Sequence, residues 1–190
     1  MKENRELRAM ARAQLKGNWL MAILVIVVYG VIISASGMVL VGPIILGGPL
    51  TLGAMGYFLK RARGESAQFE SLFDGFKVFG NSLVLYLLVF LYTFLWSLLF
   101  FVPGIIKSFS YSMSFFILHD NPEMKPSDVI TLSRKMMDGY KGKLFLLYLS
   151  FIGWGLLCCL SLGIGFLWLG PYIYQTMANF YEDLKQNYKG

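Results

Sequence analysis

One lysine, Lys107, lies inside an otherwise apolar segment, and its chemistry is the first feature of the sequence that needs an explanation. If that segment crosses a bilayer, a lysine near its centre costs about 2.5–3.5 kcal/mol, so it needs a partner or a route to water. On a helix, Tyr111 and Ser114 follow at i+4 and i+7. Further hydroxyl groups nearby come from Ser108, Ser110 and Ser112. The pattern predicts a site for an anionic lipid headgroup or an anionic solute at Lys107, Tyr111, Ser114 and Ser108.

A structural alternative for Lys107 stays open. The residue lies one turn after Pro103-Gly104, where the chain is expected to turn, so its ammonium group can snorkel to lipid headgroups. No acidic residue lies in any of the apolar segments to neutralise it. An external anion is therefore the natural partner if Lys107 forms a site.

The sequence offers no pattern typical of an enzyme. It contains no G-x-S-x-G, no P-loop and no H-E-x-x-H sequence, so we expect no catalytic residue and no cofactor. His119 is the single histidine, and Cys158 and Cys159 are adjacent within an apolar run, so no metal site is predicted. A lipid-modifying enzyme is the weakest of the functional alternatives.

The composition is that of a membrane protein. Hydrophobic residues make up 56% of the 190 residues and charged residues 15%, against about a quarter charged in soluble domains. The 43 residues 17–59 carry no charge, and a bilayer crossing needs roughly 20 apolar residues, so this stretch holds two crossings. We expect the first apolar run to remain as a membrane span and not to be cleaved as a signal peptide, because a second span follows directly.

Six spans separated by Pro/Gly turns and polar connectors are predicted. They cover residues 19–41, 50–59 (or from 44), 78–102, 105–118, 144–160 and 166–181. The fourth is short for a full crossing, and Gly170-Pro171 predicts a kink in the sixth. Amphipathic helices are predicted at residues 1–16, 69–77 and 127–138, the first lying either at the membrane interface or in solvent.

The chain also contains an internal repeat. Asp74-Gly75-Phe76-Lys77 recurs as Asp138-Gly139-Tyr140-Lys141, and each apolar run is broken by a Pro/Gly pair. The predicted fold is an all-α polytopic membrane domain of six transmembrane helices, arranged as three repeated helical hairpins with cytoplasmic amphipathic helices. The repeat units are about 1–63, 64–125 and 126–190 of one domain; the alternative is coincidence among Gly-rich turns.

The distribution of charge predicts the orientation in the membrane. Sixteen of the 17 basic residues and all 11 acidic residues lie in the N-terminal segment, the two connectors and the C-terminal tail. The positive-inside rule therefore places both termini and both connectors in the cytoplasm. Basic residues that flank apolar spans are typical of membrane insertion, so we expect membrane lipids, and no nucleic acid, as partners.

Several segments resemble a known family. Residues 98–107 (LLFFVPGIIK) with Tyr111-Ser112-Met113, 133–139 (SRKMMDG), 149–154 (LSFIGW) and 170–172 (GPY) are similar to an uncharacterised bacterial integral membrane family, domain of unknown function 975. The resemblance implies a multi-pass protein of the bacterial plasma membrane and carries no activity. A more distant likeness is to the non-catalytic membrane region of some glycerophosphodiester phosphodiesterases.

Two classes of function remain. A small transporter, export factor or immunity-type factor would use a polar cavity between the three hairpins, and the hydroxyl groups near Lys107 favour this class. A non-catalytic structural or regulatory subunit would instead use the amphipathic connectors to dock a cytoplasmic protein partner.

Overall fold

The computed structural model describes residues 1–38, 41–99 and 101–188, and within these ranges the regular structure is entirely helical. A 3₁₀ helix, Phe69–Val78, precedes α4. The α-helices are α1 (Asn4–Leu15), α2 (Trp19–Ser36), α3 (Gly42–Ala62), α4 (Phe79–Leu99), α5 (Phe101–Tyr111), α6 (Ser114–Asp120), α7 (Pro126–Met136), α8 (Lys141–Leu160) and α9 (Phe166–Asn187). The ends of the predicted first and third spans, and the end of the tail, fall partly on residues 39, 40, 100, 189 and 190, outside the described ranges.

Four helical segments are long and apolar enough to cross a bilayer: Trp19–Ser36, Gly42–Ala62, Phe69–Leu98 and Lys141–Leu160. The segment Gly42–Ala62 is mostly buried, whereas the other three bury few of their residues and expose large apolar side chains, among them Leu20, Phe90 and Leu160. Such broad exposed apolar surface indicates a membrane protein, because lipid can cover it and water cannot do so cheaply. The predicted fourth span, in α5–α6, and the predicted sixth span, in α9, are not among these four segments.

Proline residues interrupt fewer helices than the sequence predicted. The predicted turn at Pro103-Gly104 lies too late in the chain, because both residues are already inside α5, which runs back along α4 with Lys107 against Trp96. Pro49 lies inside α3, which begins at Gly42, close to the earlier of the two predicted starts, residue 44. α9 continues through Pro171, and the kink expected there stays a prediction. Proline is tolerated in the first turn of a helix, where its missing N–H has no acceptor to lose, and neighbouring helices support it elsewhere.

The predicted fourth span, 105–118, is two helices. α5 ends at Tyr111 and α6 begins at Ser114, with a short turn between them. All the apolar residues of α6 are buried, whereas α5 exposes Val102, Ile105 and Ile106. The break therefore separates a lipid-facing segment from one that belongs to the protein core.

The core lies where α6 and the C-terminal parts of α3 and α9 meet. The rings of Phe58 and Tyr174 stack with centroids 5.5 Å apart, and those of Phe116 and Tyr181 stack at 5.3 Å. The amide of Gln175, fully buried beside them, donates to the Phe58 carbonyl at 3.2 Å. Packed side chains thus join the three helices in the core.

The connector helices cover this core with their apolar faces. Leu7, Ala11 and Leu15 of α1 are buried, and α1 packs mainly along α9. Val129 of α7 is buried against α4 and α6, and Leu72 of the 3₁₀ helix against α3. The alternative of a solvated extension for α1 is therefore wrong, because its apolar face contacts protein. Its location at the membrane interface stays a prediction.

Glycines of α3 allow the 3₁₀ helix to approach closely. A Cβ atom on Gly53 would overlap the backbone carbonyl of Leu72, and one on Gly75 would overlap the carbonyl of Pro49. The packing interpretation of the α3 glycines is confirmed at Gly53, because only a residue without a side chain fits between the two backbones.

Candidate functional site

A basic groove lies where α5 meets α7 and the start of α8. Its volume is about 320 Å³. Four cations and one carboxylate line it together with two hydroxyl groups: Lys107, Arg134, Lys135, Lys141, Asp138, Ser110 and Thr131. The groove therefore has a clear excess of positive charge, and we refer to it below as the basic groove.

The basic groove has little internal neutralisation. Asp138 Oδ1 lies 3.8 Å from Lys141 Nζ, but the Asp138 side chain is 84% exposed, so the pair is weak. Among the described residues, Lys107, Arg134 and Lys135 have no carboxylate within 4.0 Å. Their mutual repulsion would be relieved by an anion that binds between them.

Lys107 is held by an aromatic ring. Its Nζ atom lies 4.4 Å from the centroid of the Trp96 ring, in the range of a cation–π contact. The contact positions the ammonium group without neutralising its charge. The sequence analysis did not identify Trp96, because the two residues meet only when α5 folds back on α4.

The α7 helix positions the other cations of the groove. It begins with Pro126 in its first turn, as the sequence predicted. Val129, Ile130 and Met136 are buried, so Arg134 and Lys135 project from the remaining, exposed face. Ser133, also buried, donates a 2.8 Å hydrogen bond to the Ser110 carbonyl and fixes α7 against α5.

The three predicted neighbours of Lys107 do not line the basic groove. Ser108 donates to the Ile105 carbonyl at 2.8 Å, and Tyr111 is buried with its ring 6.2 Å from that of Tyr92. Ser114 is buried in α6, beyond the break that ends α5. The i+7 spacing to Ser114 assumed one continuous helix, whereas Tyr111 shares α5 with Lys107 but packs beside Tyr92. Of the serines near Lys107, Ser110 lines the groove.

A second charged cluster lies at the ends of the core helices. The Asp120 carboxylate, 7% exposed, accepts hydrogen bonds from Arg63 at 2.8 Å, Lys185 at 2.6 Å and the Tyr181 hydroxyl at 3.0 Å. Arg63 also pairs with Glu182 at 2.7 Å. These residues, the Asp120 cluster, join the end of α3 to α6 and α9.

The Asp120 cluster is electrostatically satisfied. Burial would raise the pKa of Asp120, but hydrogen bonds and nearby positive charge outweigh burial and hold that pKa well below its ordinary value. His119 Nδ1 lies 3.8 Å away, too far for a hydrogen bond, so the effect comes from Arg63 and Lys185. Two carboxylates against two cations leave no charge for a ligand, and we interpret the cluster as structural.

The comparisons with known proteins identify the family. A family model described as protein of unknown function (DUF975) matches residues 1–107 and also residues 99–188. The chain belongs to the DUF975 family. The resemblance predicted from the sequence is thereby confirmed, and DUF975 membership carries no assigned activity. No curated protein and no solved structure matches this DUF975 protein, so the likeness to glycerophosphodiester phosphodiesterases stays a prediction.

Proposed function

We propose that this DUF975 protein is a non-enzymatic, multi-pass membrane protein that binds the phosphate of an anionic lipid headgroup in the basic groove. The observation that carries the proposal is the convergence of Lys107, Arg134, Lys135 and Lys141 on one groove with a single exposed carboxylate. Arginine and lysine side chains are the usual phosphate ligands in proteins. Basic pockets between membrane helices on the cytoplasmic side are typical binding sites of anionic headgroups.

The position of the groove favours a lipid over a soluble anion. Phe109, beside the groove, packs its ring 6.1 Å from that of Phe145 and 5.9 Å from that of Tyr148. Phe145 and Ile106 are exposed apolar residues of α8 and α5. A lipid whose phosphate lies among the cations can therefore lay its chains along apolar surface, whereas a free anion would gain only the charge contacts.

We further propose six spans, arranged as three hairpins in a bacterial plasma membrane with both termini cytoplasmic. The order of elements supports the repeat: a short helix, an apolar helix and a helix that enters the core occur as α1–α2–α3, as the 3₁₀ helix–α4–α5–α6, and as α7–α8–α9. The Asp120 cluster joins the last helix of all three groups. Reporter fusions after Lys60, Lys125 and Gly190 should all report cytoplasm; an external signal at any one contradicts six spans.

Binding fits the structure better than conduction does. A transport, export or immunity role requires a polar cavity between the hairpins, whereas buried aromatic rings such as those of Phe58 and Phe116 pack between α3, α6 and α9. Docking of a cytoplasmic partner by the amphipathic connectors has less support at α1 and α7, whose apolar faces are buried against the core. The 3₁₀ helix exposes Phe73 and Phe76 and is the connector that such a partner could reach. A role in transport or immunity would then act through the lipid-loaded groove.

Lipid mass spectrometry on purified protein tests the proposal. Wild type should retain anionic phospholipid through detergent purification, Lys107→Gln should lose most of it, and Lys107→Glu should lose more because a carboxylate repels phosphate. Lys125→Gln is the matched control, since Lys125 is an exposed lysine just before α7 that does not line the groove. Identical bound-lipid profiles for wild type and both Lys107 variants contradict the proposal. Adding inorganic phosphate separates the alternatives: a soluble-anion site loses its lipid to phosphate, and a headgroup site anchored by acyl chains keeps it.

A further inference from the structure

A second cavity lies between α1, the start of α2, α8 and α9. Its volume is about 340 Å³, at the lower end of the roughly 300–1,000 Å³ of small-molecule pockets. The walls are apolar and include three of the four tryptophans of the chain, Trp19, Trp154 and Trp168, together with Cys158. We refer to it as the tryptophan pocket.

The tryptophan pocket opens onto lipid-facing surface. Trp154 and Trp168 are each about half exposed, at 50% and 49%, and Leu157 beside them is 58% exposed. All three belong to α8 and α9, next to the exposed apolar residues of these helices. An apolar chain can therefore enter from the hydrocarbon of the bilayer without crossing water.

A cation lies at the rim of this apolar pocket. Arg12 of α1 lines it and holds its guanidinium group 5.9 Å from the centroid of the Tyr172 ring. No carboxylate lines the pocket, and in the described ranges Arg12 forms neither an ion pair nor a hydrogen bond with an acidic residue. Arg8 lies one turn earlier on the same helix, and its buried Nε atom has no hydrogen-bond acceptor among the described residues.

We propose that the tryptophan pocket binds one acyl chain of an anionic amphiphile, with the carboxylate or phosphate of that molecule at Arg12. Three features support this occupant: apolar aromatic walls, an entrance on the lipid-facing side, and an unneutralised guanidinium group at the rim. The volume accommodates a single chain and excludes a pair of chains from the enclosed part. The chemistry is shared by a free fatty acid and by one chain of an anionic phospholipid.

This site is separate from the basic groove. The two share no lining residue, and they are formed by different helices apart from α8. The proposal therefore does not rest on the proposed function. Loss of ligand at Arg12 and loss of ligand at Lys107 are distinguishable by separate variants.

Fluorescence of the tryptophans that line the pocket can measure the binding of a ligand there. In Trp96→Phe, the remaining tryptophans Trp19, Trp154 and Trp168 all line the pocket, so their fluorescence reports it alone. Titration of this protein in detergent with a brominated fatty acid should give saturable quenching, and the brominated alcohol of equal chain length should bind at least tenfold more weakly. Brominated phosphatidylglycerol is the second ligand to be tested. Saturable quenching by the fatty acid alone identifies a fatty-acid site, whereas saturable quenching by both ligands identifies a site for any anionic amphiphile with an acyl chain.

Arginine variants decide the role of the rim. In the Trp96→Phe background, Arg12→Gln should abolish the preference for the acid over the alcohol, and Arg12→Lys should retain it, which separates loss of charge from loss of fold. Arg5→Gln is the matched control, an exposed arginine of α1 that does not line the pocket. Equal quenching by acid and alcohol in the parent, or an unchanged preference in Arg12→Gln, overturns the proposal.

The adjacent cysteines give an independent readout. Cys158 lines the pocket, whereas Cys159 is exposed and does not line it. With Cys159→Ser, the fatty acid should slow methanethiosulfonate labelling of Cys158 at least fivefold; with Cys158→Ser, labelling of Cys159 should not change. Labelling of Cys158 at the same rate with and without saturating fatty acid also overturns the proposal.

Discussion

The two charged clusters of this protein differ in how their charges are neutralised. In the Asp120 cluster, Arg63 and Lys185 donate to Asp120 at 2.8 Å and 2.6 Å, and Glu182 completes the balance. In the basic groove, four cations face a single carboxylate that is 84% exposed. Buried charge that is already paired serves to hold helices together, whereas clustered charge without a partner needs an external ion.

The position of each cluster agrees with this difference. The Asp120 cluster lies among the core helices, where an unpaired charge would be expensive to bury. Among the cations of the basic groove, Arg134 and Lys135 are exposed and Lys107 and Lys141 partly exposed, so water and lipid headgroups can reach them. The comparison leads to distinct expectations: variants of the Asp120 cluster should change stability, and variants of the groove should change ligand binding.

The largest expected effect is that of Asp120→Asn. The change leaves Arg63 and Lys185 without their shared carboxylate, but Lys185 is half exposed and Arg63 keeps its pair with Glu182. We therefore expect a loss of unfolding free energy below the about 3–5 kcal/mol of a fully buried pair. Denaturant titration in detergent, followed by helical circular dichroism, measures the loss. Asp138→Asn in the basic groove is the control, and because Asp138 is mostly exposed its unfolding free energy should stay close to that of wild type.

The second-largest expected effect is a loss of stability in acid, through the Asp120 cluster. The pKa of Asp120 is lower in the folded protein than its ordinary value, so its contribution to stability is complete above about pH 4, near the unfolded pKa, and is lost as the pH falls further. Wild type should lose thermal stability below pH 4, and Asp120→Asn should lose less over the same interval; parallel curves would contradict the assignment.

A smaller effect is expected from Tyr181→Phe. The change removes the 3.0 Å hydrogen bond to Asp120 but keeps the ring that stacks on Phe116. Loss of one hydrogen bond to a charged group costs about 1.5–3 kcal/mol. Tyr188→Phe, on the same helix end and without a hydrogen bond to Asp120, is the comparison. Equal stability of the two variants would show that the hydroxyl group contributes nothing to the cluster.

The smallest effect on stability is expected in the basic groove. Lys107→Gln removes a cation that has no carboxylate partner, so the melting temperature in detergent should remain within a degree or two of wild type or rise slightly. The cation–π contact with Trp96 is the one interaction lost, worth about 0.5–1 kcal/mol at an exposed site. A loss of stability as large as that of Asp120→Asn would make Lys107 a structural residue.

The sequence predicted the helices well and their contacts poorly. Bunched charges and long apolar runs located α2, α3, α4 and α8, because span length and the cost of burying charge are properties of a single segment. The break at Ser112-Met113 was not predicted, because neither residue is a helix breaker and tertiary packing decides the local conformation there. The predicted turn at Pro103-Gly104 was misplaced for a similar reason. The residues next to a proline do not show whether it belongs to the first turn of a helix or follows the end of one.

The basic groove and the Asp120 cluster were harder still to predict, because each joins residues that are far apart in the sequence. Lys107 was identified because a lysine in an apolar run is anomalous on its own. Its groove partners Arg134 and Lys141 come from the following hairpin and resemble ordinary connector charges in the sequence. Asp120 and Arg63 are 57 residues apart, and nothing local to either residue shows that they pair.

The fluorescence of Trp96 tests the central claim most directly, because its ring lies 4.4 Å from Lys107 Nζ. In a variant with Trp19, Trp154 and Trp168 all changed to Phe, Trp96 is the only tryptophan, and brominated lipids quench it on contact. Brominated phosphatidylglycerol should quench Trp96 saturably and more strongly than brominated phosphatidylcholine, and Lys107→Gln should remove that difference. Equal quenching by the two lipids in the parent variant would contradict an anion-binding groove at Lys107.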